Sequence, residues 1–376
     1  MHSLLQPELQ TRIQAFVDTL SLAERNYLLS LLSFDSIHTS ATPLQADEKI
    51  LSTDELLVIE TWLYEHLQAA KNNKNRLPRL RIWGIFIFLR YAGLRLQEIF
   101  TLGTDDLLLQ DEAVSVSGAN PRTIYLPSQI CHRVRALLHP GTIPPKDDNP
   151  LRCDPGYLRR TFQKCSAACQ LGTGLVNART IRLSRLAELN RMKLPVQALQ
   201  FFSGARKASD AQTDQQLTRL LKECTQKESL MKTSARNLFR GRVTALEANG
   251  FMVRVHLKTA GGLSITAIIT DTSNRRLQIV PGSILTATVK APFVSVHRLV
   301  HSTETATGLL TSETNCFPAQ VETVRSEPLM TEITAVLPDG SLACSLQETL
   351  PKPPEKGERV FVHFKALAVV LHRDLG

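Results

Sequence analysis

The sequence predicts a multidomain α+β chain: a mainly helical domain with one small hairpin, followed by two small all-β barrels. Three observations predict it. A chain of 376 residues is long enough for two or three domains. Up to about Met231 the apolar residues recur at helical spacing; from Ser234 they alternate like strands. The alternating part also repeats itself: Ser234 and Asn237 recur as Ser312 and Asn315, 78 residues on, and Lys290-Ala291 and Gly282 recur as Lys365-Ala366 and Gly357, 75 residues on. The expected organisation is an N-terminal helical segment (1–45), a helical domain (46–225), a linker (226–233), and β units over 234–298 and 308–373.

In the first segment Leu9, Ile13, Phe16, Val17 and Leu20 follow helical spacing, and Ser21-x-x-Glu24 offers a capping box for a second helix over Tyr27–Leu32. The polar stretch 36–47 reads as a linker. Ser52-Thr53-Asp54-Glu55 opens a helix to about Ala70, and the Asn-rich stretch Lys71–Asn75 is expected to break the chain before an apolar helix over 79–91. Arg95–Leu102 reads as a short helix. Val114–Val116 and Thr123–Leu126 read as a hairpin around Gly118-Ala119-Asn120-Pro121. A helix over 128–138, a Pro-rich loop over 140–155 and further helices from Leu158 follow. Beyond Ser234, Asn249-Gly250 between two alternating runs is a hairpin signal, and strands are expected over 264–270, 284–290 and 293–296. The second unit repeats this around Pro338-Asp339-Gly340. Units of about 65 residues with five or so strands close as small, OB-like barrels.

Composition narrows the function. No apolar run approaches the roughly 18–20 residues of a membrane span, and Met1–Glu8 lacks the basic start and apolar core of a signal peptide, so a cytoplasmic protein with no membrane contact is expected. The seven cysteines include no Cys-x-x-Cys, and Cys165 and Cys169 have no second pair or nearby histidines to complete a zinc set; reduced thiols and no direct metal ligation are expected. No Gly-x-x-x-x-Gly-Lys-Ser/Thr loop exists, which argues against a transporter ATPase. The net charge of +9 is uneven: residues 1–70 carry −7, residues 71–233 carry +13 and residues 234–376 carry +3. The middle block is either a solvated helical surface or a surface that tracks nucleic-acid phosphates.

Ser234-Ala235-Arg236-Asn237, Thr270-x-x-Ser273 and Lys290-Ala291 make residues 234–298 resemble the molbindin-like, or TOBE, domains that bind molybdate and tungstate. The resemblance implies that Ser234, Arg236, Asn237, Thr270, Ser273, Lys290 and Ala291 line an anion site. A tetrahedral dianion offers only acceptors, so hydroxyls, backbone N–H groups and cations are the right partners, and sulfate is rejected only by size. The second unit keeps Ser312, Asn315, Lys365 and Ala366 but loses the arginine and the Thr-x-x-Ser pair, a possible second site in degenerate form. In this family anion sites lie between domains or subunits, which implies a homodimer.

The middle domain has a different resemblance. Tyr91-Ala92-Gly93-Leu94-Arg95-Leu96-Gln97-Glu98-Ile99, then Thr180-Ile181-Arg182-Leu183 and Phe201-Phe202-Ser203-Gly204, resemble the arginine boxes of tyrosine recombinases, the phage integrase family. That chemistry needs two arginines on the scissile phosphate, acids and bases, and a tyrosine nucleophile. Arg95 and Arg182 remain. Arg179 stands at the first histidine position, Ala205 follows Gly204 where the family has histidine or tryptophan, the hairpin tip has no lysine, and the tyrosine would fall near Asp214; the five tyrosines are Tyr27, Tyr64, Tyr91, Tyr125 and Tyr157. The resemblance therefore implies a scaffold that binds double-stranded DNA without cleaving it; with the basic clusters of the middle block, the expected contacts are Arg79, Arg81, Arg95, Arg179, Arg182, Arg185, Arg206 and Lys207, unless Arg95 and Arg182 are simply paired within the fold. The whole arrangement resembles tungsten-responsive regulators of the TunR type. The expectation is a non-enzymatic regulator in which molybdate or tungstate, as effector, alters operator binding, with Lys222–Thr233 as coupling linker. The alternatives are an oxyanion-controlled active recombinase and an oxyanion store.

Overall fold

The computed structural model describes residues 49–118, 120–138, 149–192, 194–205, 211–228, 234–298, 314–349 and 352–373. The helices expected before residue 36 and the linker over 36–47 lie outside them.

The helical domain starts where its caps are written. Helix α1 (Thr53–Gln68) carries the capping box, with Ser52 accepting from the Glu55 amide and Glu55 from the Ser52 amide. Helix α2 (Asn73–Tyr91) begins six residues earlier than periodicity suggested. Asn72 accepts from the Asn75 amide, so the Asn-rich stretch is a cap and first turn rather than a break, and Pro78 is carried inside the helix. Its apolar run is buried on all sides: Ile82, Trp83 and Ile85 through Leu89 are all at most 1% exposed. Each such side chain contributes about 1.5–3 kcal/mol of transfer free energy.

A short helix α3 (Leu96–Ile99) leads to the antiparallel hairpin β1 (Ala113–Val116) and β2 (Arg122–Tyr125), with Val114 opposite Ile124. Helices α4 (Ser128–Leu137), α5 (Pro155–Ala168), α6 (Ala178–Arg191), α7 (Val196–Phe202) and α8 (Ala211–Glu228) complete the domain. Asp154 and Asn177 cap α5 and α6. Helix α8 packs on β2 and runs through the first part of the segment expected to be a linker; residues 229–233 lie outside the description.

The β part is built from two copies of one ladder. The first has β3 (Asn237–Asn249), β4 (Met252–Thr259), β5 (Ser264–Thr270), helix α9 (Asp271–Leu277), β6 (Ile284–Val289) and, after a 3-10 turn over Ala291–Phe293, β7 (Ser295–Arg298). The second has β8 (Thr314–Ser326), β9 (Met330–Val336), β10 (Leu342–Glu348), β11 (Arg359–Lys365), a 3-10 turn over Ala366–Ala368, and β12 (Val370–His372). Each long first strand carries a bulge at the same place, between Val243 and Ala245 and between Val321 and Thr323.

The units are not self-contained. The sheets run β12-β6-β3-β4-β5 and β10-β9-β8-β11-β7: each unit gives its last strand to the other. Strand β7 pairs with β11, Val362 opposite Val296, and β12 pairs with β6, Leu371 opposite Ala287. One hydrophobic core runs through both units, with the Phe239 and Phe364 rings stacked at 5.8 Å. The two β units expected from the sequence are present, and their exchange of last strands makes them one intertwined pair in which β12 covers the edge of β6 and β7 that of β11.

The β pair sits directly on the helical domain. Arg240 bonds Asp54 at 2.8 Å and Lys258 bonds Glu65 at 2.9 Å. The turn at Gly340 (φ +80°) lies so close to α4 that an added Cβ would stand 2.8 Å from the Gln129 carbonyl oxygen. A cavity of about 490 Å³ remains at this seam. Two buried polar chains border it: Arg90 to Glu188 with Arg185 beside it, and Tyr91 with Arg133 on Glu60.

Candidate functional site

In the β pair, the β3–β6 ladder ends with Asn237 opposite Val289, so the next residues outward, Arg236 and Lys290, stand opposite each other at the end of the two strands. Both are exposed, as is Ser234, while Ala291 is buried at the start of the 3-10 turn. That turn packs against β10 of the other unit. Arg236 Nη1 reaches across to the Glu332 carboxylate and to Cys344 Sγ, so the guanidinium is held above its ordinary pKa by Cys344 and Glu332. The cleft of Ser234, Arg236, Lys290 and Ala291 is therefore faced by unit two.

Asn237 is placed differently from expectation. It is fully buried, and its amide donates to the carbonyls of Val289 and Cys344 and accepts from the Cys344 N–H. Asn315 does the same in mirror fashion with the N–H and carbonyl of Thr266. These asparagines mimic a strand edge and staple the units together; their hydrogen-bonding capacity goes to the staple, not to an anion.

Thr270 and Ser273 also part company with Arg236 and Lys290. Thr270 caps α9, accepting from the Ser273 amide, and the two hydroxyls bond each other at 3.0 Å. Strand β5, which ends at Thr270, packs against the Ala366–Ala368 turn. Within the chain, then, the seven residues read from sequence as one site divide between two clefts related by the pseudo-symmetry of the pair. Thr270 and Ser273 lie at the end of β5, the unit-one strand that packs against the Ala366–Ala368 turn; Ser312 lies outside the described residues. The strand exchange causes the division: the elements that the sequence brings together in one unit are turned toward the other.

In the helical domain, the arginine boxes converge. Arg182 donates to the carbonyls of Gly93 and Ser203, Arg95 to that of Gly204 and Arg122 to that of Phe202. Asn120, at the hairpin, donates to Gly204 as well. The carboxylate of Glu98 pairs with Arg122 at 2.9 Å and caps the Arg95 amide. Glu98 thus meets Arg95 only at its backbone; its side-chain partner is Arg122, which sequence reasoning missed although it directly follows the hairpin tip. Burial, together with the charges of Arg95, Arg122 and Arg179, pulls the Arg182 pKa down to about 10 against the opposing effect of Glu98. Such a cluster has a net positive field gathered at the C-terminal carbonyls of α7 and suits a phosphate.

The other expected DNA contacts are dispersed. Arg179 is exposed beside Arg182. Arg79 donates to the His66 carbonyl on α1, and Arg81 is half-buried on α2. Arg185 is 2% exposed, paired with Glu188 and lying over the Phe202 ring, so it is a core arginine and is corrected from the list of surface contacts. Arg206 and Lys207 lie outside the described residues. Of the tyrosines, Tyr91 donates to Glu60, and the Tyr125 ring lies 4.6 Å from Lys222 Nζ. Asp214, on α8, borders a groove of about 580 Å³ with Arg122.

Residues 233–296 match the TOBE domain. A stretch of 115 residues is 32% identical to the Molybdenum transport protein ModE of Azotobacter vinelandii, covering 30% of this chain; the chain spans about 40% of that relative's length. A structure of the cytoplasmic molybdate-binding protein ModG with molybdate bound is 28% identical, covering 38% of this chain and 100% of that one at a TM-score of 0.34. The crystal structure of XerA recombinase is 16% identical, covering 60% of this chain and 84% of that one at a TM-score of 0.36. Among the described residues no helix is long and apolar enough to cross a membrane, and no group of three or more His, Cys, Asp or Glu side chains is arranged to hold a metal ion.

Proposed function

We propose that the protein is a DNA-binding regulator that responds to molybdate or tungstate and does not cleave DNA. The observation that carries the reading is the cleft at the end of the TOBE segment's β3 and β6 strands, where Arg236 and Lys290 stand opposite each other against the second unit. Its donor set fits an oxyanion: a guanidinium, an ammonium, the Ser234 hydroxyl and the backbone N–H of Ala291 at the start of the following turn. An anion there bears on both units at once, and the β pair is docked on α1 and α4 through Asp54, Glu65 and the Gly340 turn. Occupancy thus reaches the helical domain through packed contacts rather than through a linker alone, provided the anion favours one arrangement over another.

The DNA side of the proposal rests on Arg95, Arg179 and Arg182, which suit one backbone phosphate and position it without cutting it, while Arg122, buried on Glu98, braces the cluster from behind. The position expected for a nucleophilic tyrosine holds Asp214, whose carboxylate repels a phosphate instead of attacking it. The working unit is proposed to be a homodimer, since recombinase-like scaffolds and paired β units both reach two-fold DNA sites most simply by symmetry.

Gel-shift titration on DNA upstream of the protein's own gene, with and without molybdate and tungstate, tests the reading. A shift whose midpoint moves with either anion is expected. A midpoint insensitive to both anions overturns the sensor role, and a covalent protein–DNA adduct trapped on nicked DNA overturns the inactive scaffold.

A further inference from the structure

Besides the arginine that unit two lacks, the two units differ in charge at one cross-strand pair. On β3 and β4, Glu247 stands opposite Arg254; on β8 and β9, at positions 78 residues on, Arg325 stands opposite Glu332. The acidic and basic members have changed places between the copies. In unit one the cross-strand pair closes on itself, Arg254 bonding Glu247 at 2.8 Å. In unit two the carboxylate is on β9, next to β10, and it bonds Arg236 of the other unit instead.

That contact matters because of what Arg236 is for. A carboxylate on a guanidinium presents the same acceptor oxygens as a tetrahedral oxyanion, at the same donors. The Arg236 side chain is 59% exposed and that of Glu332 22%, so an incoming anion has access to the guanidinium from the open side while the carboxylate is braced by its strand.

We propose that Glu332 is the internal competitor of the oxyanion: it holds Arg236 when the cleft is empty, and the anion enters by displacing it. This rests on the oxyanion reading of the cleft. Glu332 then sets both affinity and selectivity. A dianion exchanges one carboxylate charge at Arg236 for two, whereas chloride or another monoanion gains nothing in the exchange and still meets the repulsion of the displaced carboxylate. The cleft accordingly responds to molybdate or tungstate above a threshold that Glu332 fixes.

Isothermal titration of the full chain with sodium molybdate and with sodium tungstate, in wild type, Glu332→Gln and Glu332→Ala, decides it. Both variants are expected to bind each oxyanion roughly three- to tenfold more tightly, the range for removing one partly screened like charge and one competing hydrogen bond. Addition of sodium chloride is expected to weaken binding more in the variants than in wild type, because the selectivity against monoanions is lost. Thermal melts of the variants check the fold, and agreement between the glutamine and alanine variants excludes an effect peculiar to one side chain. Wild-type binding with unchanged or weaker affinity in both variants overturns the competitor role and leaves the oxyanion reading standing. No binding of either anion by any of the three proteins overturns both.

Discussion

Replacing Gly340 with alanine probes the seam through which the β pair meets the helical domain. Gly340 has φ +80°, where an L side chain costs about 1–2 kcal/mol by backbone sterics alone. Its new Cβ would stand 2.3 Å from Arg133 Cγ, 2.8 Å from the Gln129 carbonyl oxygen and 2.9 Å from the Arg133 amide nitrogen. Two of those three atoms are backbone of α4, so no rotamer change relieves them, and the seam must open by about an ångström, at an overpacking cost of about 1–3 kcal/mol. Gly357 supplies the matched control. It lies in the same β unit at φ +85°, and among the described residues nothing stands within 4 Å of an added Cβ. Gly357→Ala therefore carries the backbone cost alone, and Gly340→Ala is expected to be about 1–3 kcal/mol more destabilising. Urea denaturation of wild type and both variants reads that difference, and calorimetry of Gly340→Ala is expected to resolve the helical domain and the β pair as separate transitions. Equal destabilisation by the two substitutions, with a single unchanged calorimetric peak, would refute the claim that the turn is packed onto α4.

Three further outcomes follow from other contacts. Asn237→Ala removes the bonds to Val289 and to both backbone groups of Cys344, leaving buried groups unsatisfied; a loss of about 2–4 kcal/mol is expected in chemical denaturation, and Asn315→Ala should cost a similar amount. Burial pushes the Glu98 carboxyl up, but the Arg122 pair and the Arg95 amide outweigh it and hold its pKa below the usual 4.5. Its contribution to stability is therefore complete above pH 4.5 and is lost as the pH falls through the lower folded value; Glu98→Gln should flatten the acid limb of a stability–pH profile and leave the neutral limb parallel to wild type. On DNA, Arg95→Gln should weaken binding similarly across sequences and reduce the slope of log K against log salt by about 1, measured by fluorescence anisotropy, if the arginine holds a backbone phosphate.

Much of the architecture could be read locally. Ser52 announces its helix start because an N-cap is an interaction over three residues; Asn72, Asp154 and Asn177 cap their helices in the same way, although apolar spacing alone places the first two of those starts later, at 79 and 158. The period change at Ser234 and the Asn249-Gly250 turn announce the ladder, because alternation and turn chemistry are likewise written within a few positions. The 75–78-residue repeat marks the two copies and names Lys290, while the Ser234-Ala235-Arg236-Asn237 opening names Arg236; their neighbouring places at the end of β3 and β6 follow from the ladder register. Arg122 escaped notice because its partners, Glu98 and the Phe202 carbonyl, lie 24 and 80 residues away and leave no local pattern.

What the sequence settled alone, then, was which segments become helices and strands, and that the β part is a duplicate. The tertiary structure decided which copy each final strand completes. Strands β7 and β12 carry the same alternating pattern and fit either sheet edge, so nothing local distinguishes staying home from crossing over; only the joint burial of Val296 and Leu371 in one common core does. That crossing turns Asn237 into a staple, parts Thr270 from Arg236 and sets Glu332 against the guanidinium. Strand partnership is a long-range choice between equivalent edges, made by packing rather than by propensity.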